Sequence, residues 1–226
     1  MKTYLCIGAG PGIGLAAARR FGREGYRVVL VSRSIADRQR LLAGFAAEGV
    51  DARFEAADAG DPAQISALID RLREENLAVV HYNAAAMRYD ASGNLLASSI
   101  DTQSPQDIAA DIATDVTAPL VVLSTLVPAM TARGEGTILL TGGGFAVEPS
   151  ADFLTLSVGK AAIRSMTQAL FEPLRARGVH IATVRVSTVV ATDASHPDRI
   201  AAAFWALHAQ PAGTWTWETV YPHPDG

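Results

Sequence analysis

The chain has 226 residues and a single cysteine, Cys6. One thiol excludes an internal disulfide and a cysteine metal cluster. Cys6 lies in an apolar run, where it reads as a small buried side chain. The five histidines show no ligand spacing with carboxylates, so no metal is expected. A dense basic tract is also missing. Lys and Arg total 19 against 23 Asp and Glu, net charge -4, and the arginines are scattered. A broad basic face for nucleic acid is therefore disfavoured. Long apolar runs are lacking: Ala118 to Met130 is interrupted by Pro119, Ser124, Thr125 and Pro128 and is too short to cross a bilayer. Met1-Lys2-Thr3 leads straight into an apolar segment without the pattern of a signal peptide. No linker, internal repeat or low-complexity tract breaks the chain. The expectation is one domain over residues 1–226, cytoplasmic, with no membrane or nucleic-acid partner. Apolar residues make up 49% of the chain, enough to bury a full core.

What is present begins at residue 8. Gly8-Ala9-Gly10-Pro11-Gly12-Ile13-Gly14 follows the strand-like run Tyr4-Leu5-Cys6-Ile7 and precedes the helix-like Leu15-Ala16-Ala17-Ala18-Arg19-Arg20-Phe21. Strand, glycine turn and helix together hold a dinucleotide pyrophosphate: the glycines allow a tight turn and close backbone approach, and the helix N-terminus offers N–H groups and a positive dipole end.

Further runs alternate along the whole length. Strands are expected at Tyr4–Gly8, Arg27–Ser32, Ala52–Ala57, Ala78–Asn83, Thr137–Thr141, His180–Val186 and Thr214–Val220. Most are apolar without clean alternation, as in strands covered on both faces. Helices are expected near 12–24, 35–49, 61–76, 104–130, 151–177 and 197–209. Asp61-Pro62 is a good helix start, and Gly25, Gly49 and Gly178 stand where helices would stop. The alternation implies an α/β fold: one Rossmann-type, doubly wound parallel sheet of about seven strands with helices on both faces.

In such sheets ligands bind at the C-terminal strand ends. The second strand ends Val31-Ser32-Arg33-Ser34, and Arg33 stands 19 residues after Gly14, with no acid before Asp37. An arginine here suits a 2′-phosphate where an acidic residue would suit a 2′-hydroxyl, so NADP is favoured over NAD. Asp58 follows the third strand, where loop aspartates commonly cap turns. Asn83-Ala84-Ala85-Ala86 follows the fourth, its small residues leaving room for an adenosine and the Asn83 amide tying strands together.

These residues resemble the short-chain dehydrogenase/reductase family over essentially the full length. Gly8-x-x-x-Gly12-Ile13-Gly14 is that family's glycine spacing. Asp58 and Ala59 match its adenine-contacting pair, and Asn83-Ala84-Ala85 its Asn-Asn-Ala-Gly turn, with Tyr82 for the first Asn and Ala86 for the Gly. The resemblance implies a nicotinamide coenzyme held by Gly8, Gly10, Gly12, Ile13, Gly14, Ser32, Arg33, Ser34, Asp58, Ala59, Asn83, Ala84 and Ala85. It adds Lys160 on the ribose and Val190 and Thr192 near the carboxamide, and it implies dimer or tetramer contacts through the 151–177 helix and the last strand.

The catalytic pattern departs from the family. Its Tyr-x-x-x-Lys pair is here Leu156-Ser157-Val158-Gly159-Lys160, its serine position holds Gly143, and its asparagine position holds Asp115. Leucine transfers no proton, and losing a general acid typically costs about 10²–10⁴ in rate. Candidate replacements are Thr141, by its hydroxyl; Tyr89, from the loop after the fourth strand; and Asp115, should burial raise its pKa. His81 reads as a packed histidine. Two functions are carried forward. The first is an NADP(H)-dependent oxidoreductase on a small carbonyl or alcohol with an atypical proton donor. The second is a coenzyme-binding sensor or partner subunit with little turnover. A weaker third reading is non-redox chemistry in the emptied site.

Overall fold

The computed structural model describes residues 1–33, 37–188, 190 and 195–223. One sheet of seven parallel strands organises them: β1 (Thr3–Ile7), β2 (Arg27–Ser32), β3 (Ala52–Ala56), β4 (Leu77–Tyr82), β5 (Gly136–Gly143), β6 (Val179–Val186) and β7 (Glu218–Tyr221), in the order β3-β2-β1-β4-β5-β6-β7. The helices are α1 (Ile13–Arg23), α2 (Arg38–Ala47), α3 (Pro62–Leu72), α4 (Pro105–Ile112), α5 (Ala118–Arg133), α6 (Leu154–Arg175) and α7 (His196–His208).

Strands such as Val28-Val29-Leu30-Val31 are apolar at successive positions, so both sheet faces need cover. On one face α3, α5 and α6 pack Ile65, Leu68, Val122, Leu126, Ile163 and Phe171 against Leu5, Val80 and Ile138. On the other, α1, α2 and α7 bring Phe21, Phe45 and Phe204 onto Tyr4, Val79 and Leu139. The order reverses between β1 and β4, and the crevice there is where open α/β sheets bind ligands.

Several helix ends follow directly from the sequence. Asp61 caps α3 through Oδ1, accepting from Ala63 N at 3.0 Å and Gln64 N at 3.3 Å. Ser104 does the same for α4, accepting from Asp107 N at 3.1 Å. Elsewhere the boundaries differ from expectation. The last strand starts at Glu218, because Ala212–Thr214 forms a 3-10 turn. The strand expected to end at Thr141 runs on to Gly143 and takes two glycines into the sheet. The helix expected from 151 is preceded by a 3-10 turn at Ala151–Phe153.

The helix expected at 104–130 extends to Arg133 and contains a π turn, Ala113–Thr117, between α4 and α5. Counted as one, Pro105–Arg133 is 29 residues long and apolar enough to cross a membrane by length and composition, longer than the apolar stretch read from the sequence. Val122, Leu123, Leu126 and Met130 of α5 are buried in the core described above.

Two histidines, one buried and one half-buried, tie these layers together. His81 on β4 is wholly buried against Phe204, with ring centroids 4.3 Å apart. His208 at the end of α7 bonds Tyr26 Oη at 2.7 Å and Thr137 Oγ1 at 2.9 Å. Burial lowers their pKa values, to about 3 for His81 and about 4 for His208. Both are therefore neutral in the folded chain, and below pH 6.5 the unfolded chain binds more protons. Stability is expected to hold above that pH and fall as pH drops from 6.5 toward 4, by on the order of 2 kcal/mol at pH 5 for His81 and less for the half-buried His208. Urea unfolding at pH 7.5 and pH 5 measures this, and His208→Leu should flatten the slope.

Candidate functional site

The site is assembled where β1, β4 and β5 end. Gly8 and Ala9 donate their N–H groups to Val31 O at 3.0 and 2.8 Å, while Asn83 and Ala84 donate to Ile7 O at 2.8 and 3.0 Å. The turns after β1 and β4 are thereby pressed together. A Cβ on Gly8, which has φ +93°, would stand 2.4 Å from Ala84 N, and one on Gly14 would stand 2.6 Å from Gly8 O. These two positions require glycine. At Gly10 a Cβ would meet nothing within 4 Å, so that flank of the turn faces open space. Gly12 precedes α1, whose start has no side-chain cap and no acidic residue in its first turn. An unscreened helix N-terminus over an open cradle is what an anion requires.

Arg33 is exposed at the end of β2 beside half-buried Ser32. Ser34 and Thr192 lie outside the described residues. Val190 is half-buried and packs on the α1/α7 core. The Asp58 carboxylate holds its own turn, Oδ1 accepting from Gly60 N at 2.8 Å, as loop aspartates often do; Ala59 is half-buried beside it.

Lys160 is buried on α6, and its Nζ donates to Thr141 O at 2.9 Å. A Cβ on Gly143, the family's serine position, would press on the Lys160 stem at 3.1–3.4 Å. Leu156 is buried one turn earlier on the same helix. Phe153, just before α6, stacks on Phe145 at 5.3 Å. Asp115 sits on the π turn with Oδ1 accepting from Ala86 N at 2.9 Å. Its Oδ2 is buried without a hydrogen-bond partner. Gly159, next to Lys160, is what lets Asp115 so close: a Cβ there would be 2.4 Å from the Asp115 Cβ. Burial raises the Asp115 pKa to about 6, although Lys160 pulls the other way; burial in turn lowers that of Lys160.

The other two replacement candidates fare differently. The Thr141 hydroxyl is committed to Asn83 Oδ1 at 2.8 Å inside a buried network, so Thr141 offers the site its carbonyl and not a proton. Tyr89 is half-exposed in a turn closed by its β-bridge to Leu95, with its hydroxyl on Met87 Sδ at 3.5 Å. The structure does not bring it to Lys160 through any bond.

The π turn has a local cause. Ala118 N–H bonds back to Ala113 O, and Pro119 has no N–H. The Thr114 carbonyl between them is taken by the Tyr82 hydroxyl. Tyr82, the residue in place of the family's first asparagine, thus completes the turn that carries Asp115.

Sequence reading missed a polar cluster beside the site. Asp111, 2% exposed, accepts from Arg88 Nη2 at 2.8 Å and Nη1 at 3.2 Å, from Gln103 Nε2 at 2.9 Å and from Thr155 Oγ1 at 2.8 Å. It pins both ends of the 88–103 segment to α4 and α6. Only the i to i+4 spacing of Asp111 and Asp115 hinted that both face inward. Arg88→Met should cost about 3 kcal/mol, because it strips Asp111 of its cation while leaving the carboxylate buried. Chemical denaturation of the variant measures the loss, and Asp111→Asn combined with Arg88→Met should recover part of it.

The short chain dehydrogenase family matches residues 2–202. Oxidoreductase asL5 of Sarocladium schorii is 26% identical over 198 residues, covering 85% of this chain and 75% of that protein. Dehydrogenase/reductase SDR family member 4 of Homo sapiens is 28% identical over 183 residues, covering 80% of this chain and 63% of that protein. Among solved structures, a metagenomic short-chain oxidoreductase in complex with NADP superposes with TM-score 0.85 at 26% identity, covering 97% of this chain and 96% of that one. A short-chain dehydrogenase from Rhodopseudomonas palustris has the same fold, TM-score 0.84 at 24% identity with 97% of both chains covered. With the glycine turn, the strand order and this match in agreement, the chain belongs to the short-chain dehydrogenase family.

Proposed function

We propose that the protein is an NADP(H)-dependent oxidoreductase acting on a small carbonyl or alcohol, with Asp115 as its atypical proton donor. The observation that carries this reading is the open glycine cradle at the β1/β4 crevice, with buried Lys160 and Asp115 converging at the ends of β4 and β5. Gly8, Gly10, Gly12, Ile13 and Gly14 would hold the pyrophosphate, Ser32 and Arg33 the 2′-phosphate, and Asp58, Ala59, Asn83, Ala84 and Ala85 the adenosine. Lys160 would hold the ribose and Val190 the carboxamide end. The similar metagenomic enzyme was solved in complex with NADP, which supports the choice of coenzyme.

When bound, the nicotinamide supplies the hydride. The chain's own groups supply the rest. The Ala86 N–H fixes Asp115 Oδ1 as an acceptor, so a proton on the carboxyl belongs to the unpartnered Oδ2. A raised pKa keeps that proton available near neutrality. Leu156 walls the site with apolar surface and donates nothing. A second reading, coenzyme binding without turnover, draws on Leu156 and Gly143, which remove the family's phenol and hydroxyl.

Fluorescence titration should show NADPH binding more tightly than NADH, with the preference lost in Arg33→Ala. Equal affinity for both coenzymes would overturn the NADP assignment. In a carbonyl-reduction screen the reductive rate should fall as pH rises through about 6, since the protonated carboxyl is the donor. Asp115→Asn should remove activity while keeping NADPH binding. An inactive wild type that gains turnover in Leu156→Tyr would favour the second reading.

A further inference from the structure

Beneath the glycine turn runs a chain of hydrogen bonds, buried from Tyr4 to Thr141 and half-buried at Asn83, whose Tyr4–His81 end takes no part in the proposed chemistry. Tyr4 Oη lies 2.6 Å from His81 Nδ1, and His81 Nε2 lies 2.9 Å from Thr141 Oγ1. Thr141 Oγ1 lies 2.8 Å from Asn83 Oδ1, and Asn83 Nδ2 lies 2.9 Å from Gly8 O. Tyr4 and His81 are completely buried and Thr141 is 8% exposed. The chain has only one self-consistent direction. Gly8 O can only accept, so Asn83 must present its NH2 there and its carbonyl oxygen to Thr141. The Thr141 hydroxyl has one hydrogen and spends it on that oxygen. It must then accept from His81 Nε2–H, which leaves His81 Nδ1 to accept from the Tyr4 hydroxyl.

We propose that Tyr4 and His81 are positioning residues for the coenzyme: by fixing the ring tautomer they orient the Thr141 hydroxyl and the Asn83 amide, and so hold the Gly8 carbonyl and the phosphate-binding turn in register. Thr141 carries the same constraint toward the other half of the site, because its carbonyl receives the Lys160 ammonium at 2.9 Å. One threonine therefore couples the pyrophosphate end to the ribose end. Strand β4 of this chain places a histidine where a purely apolar residue would satisfy the core, and the ring is wholly buried with Phe204 tilted against it at 4.3 Å. Burial also keeps the imidazole neutral, as a one-donor, one-acceptor relay requires.

The inference rests on the coenzyme-binding reading for its consequence but not for its test. Ring 15N shifts of His81 should show the proton on Nε2, and exchange of the Asn83 side-chain amide should be slow. In Thr141→Val, which keeps shape and removes the hydroxyl, amide exchange should accelerate and NADPH affinity should fall about tenfold. Thr141→Ser should restore both to within about threefold. Tyr4→Phe, the mildest change should the valine variant fail to fold, should let His81 sample both tautomers and quicken Asn83 exchange. A wild-type proton on Nδ1, or amide exchange unchanged in Thr141→Val and Tyr4→Phe, overturns the relay. Unchanged NADPH affinity in a folded Thr141→Val overturns the positioning role. Absence of NADPH binding by the wild type would instead strike the coenzyme reading, while the tautomer and exchange measurements would still decide the relay.

Discussion

The site depends on one contact, the backbone of Gly8 against the backbone of Ala84. There is no room for a Cβ between them. The contact exists because β1 and β4 are sheet neighbours whose connections leave toward opposite faces. Any side chain at residue 8 would force the two strand ends apart and close the crevice from below. Everything functional is placed relative to that contact. The helix start at Ile13 is aimed by the turn that Gly8 begins, and the segment after β4 leads through Ala86 to Asp115.

Much of the fold was legible in the residues. Continuous apolar strands such as Val28–Val31 announced two-sided burial, and Asp61-Pro62 announced a helix start that the structure reproduces with its side-chain cap. The glycine turn was legible because its chemistry is local: seven consecutive residues carry strand end, turn and helix entry. What sequence spacing did not give was assembly at a distance. Asp111 meets Arg88, Gln103 and Thr155 across 8 to 44 positions, and Tyr4 meets His81 across 77. Neither pairing has a period to betray it. A single regular helix at 104–130 is what the residues predict because both halves are apolar enough to be helical, and periodicity does not see a single widened turn.

Tyr82, Pro119, Asp115 and Gly159 form a connected set. The Tyr82 hydroxyl reaches the Thr114 carbonyl; Pro119 has no N–H to give that helix; Asp115 stands on the turn so formed; Gly159 gives it room. Gly143 likewise leaves space along the Lys160 stem where a serine would crowd it. Together they pack around one carboxyl group whose Oδ2 has no hydrogen-bond partner.

The widened turn at Ala113–Thr117 has a mechanical meaning as well. An α-helix advances about 100° per residue, so one extra residue in a turn rotates everything before it by roughly that angle relative to everything after. Downstream, Val122, Leu126 and Met130 must face the sheet; upstream, Asp111 must face Arg88 and Thr155. A uniform helix would satisfy one of these demands and swing the other toward solvent. The bulge acts as a phase shifter between an oily register and a polar one: it absorbs one residue, so deleting one there would leave a regular α-helix with both faces still aligned.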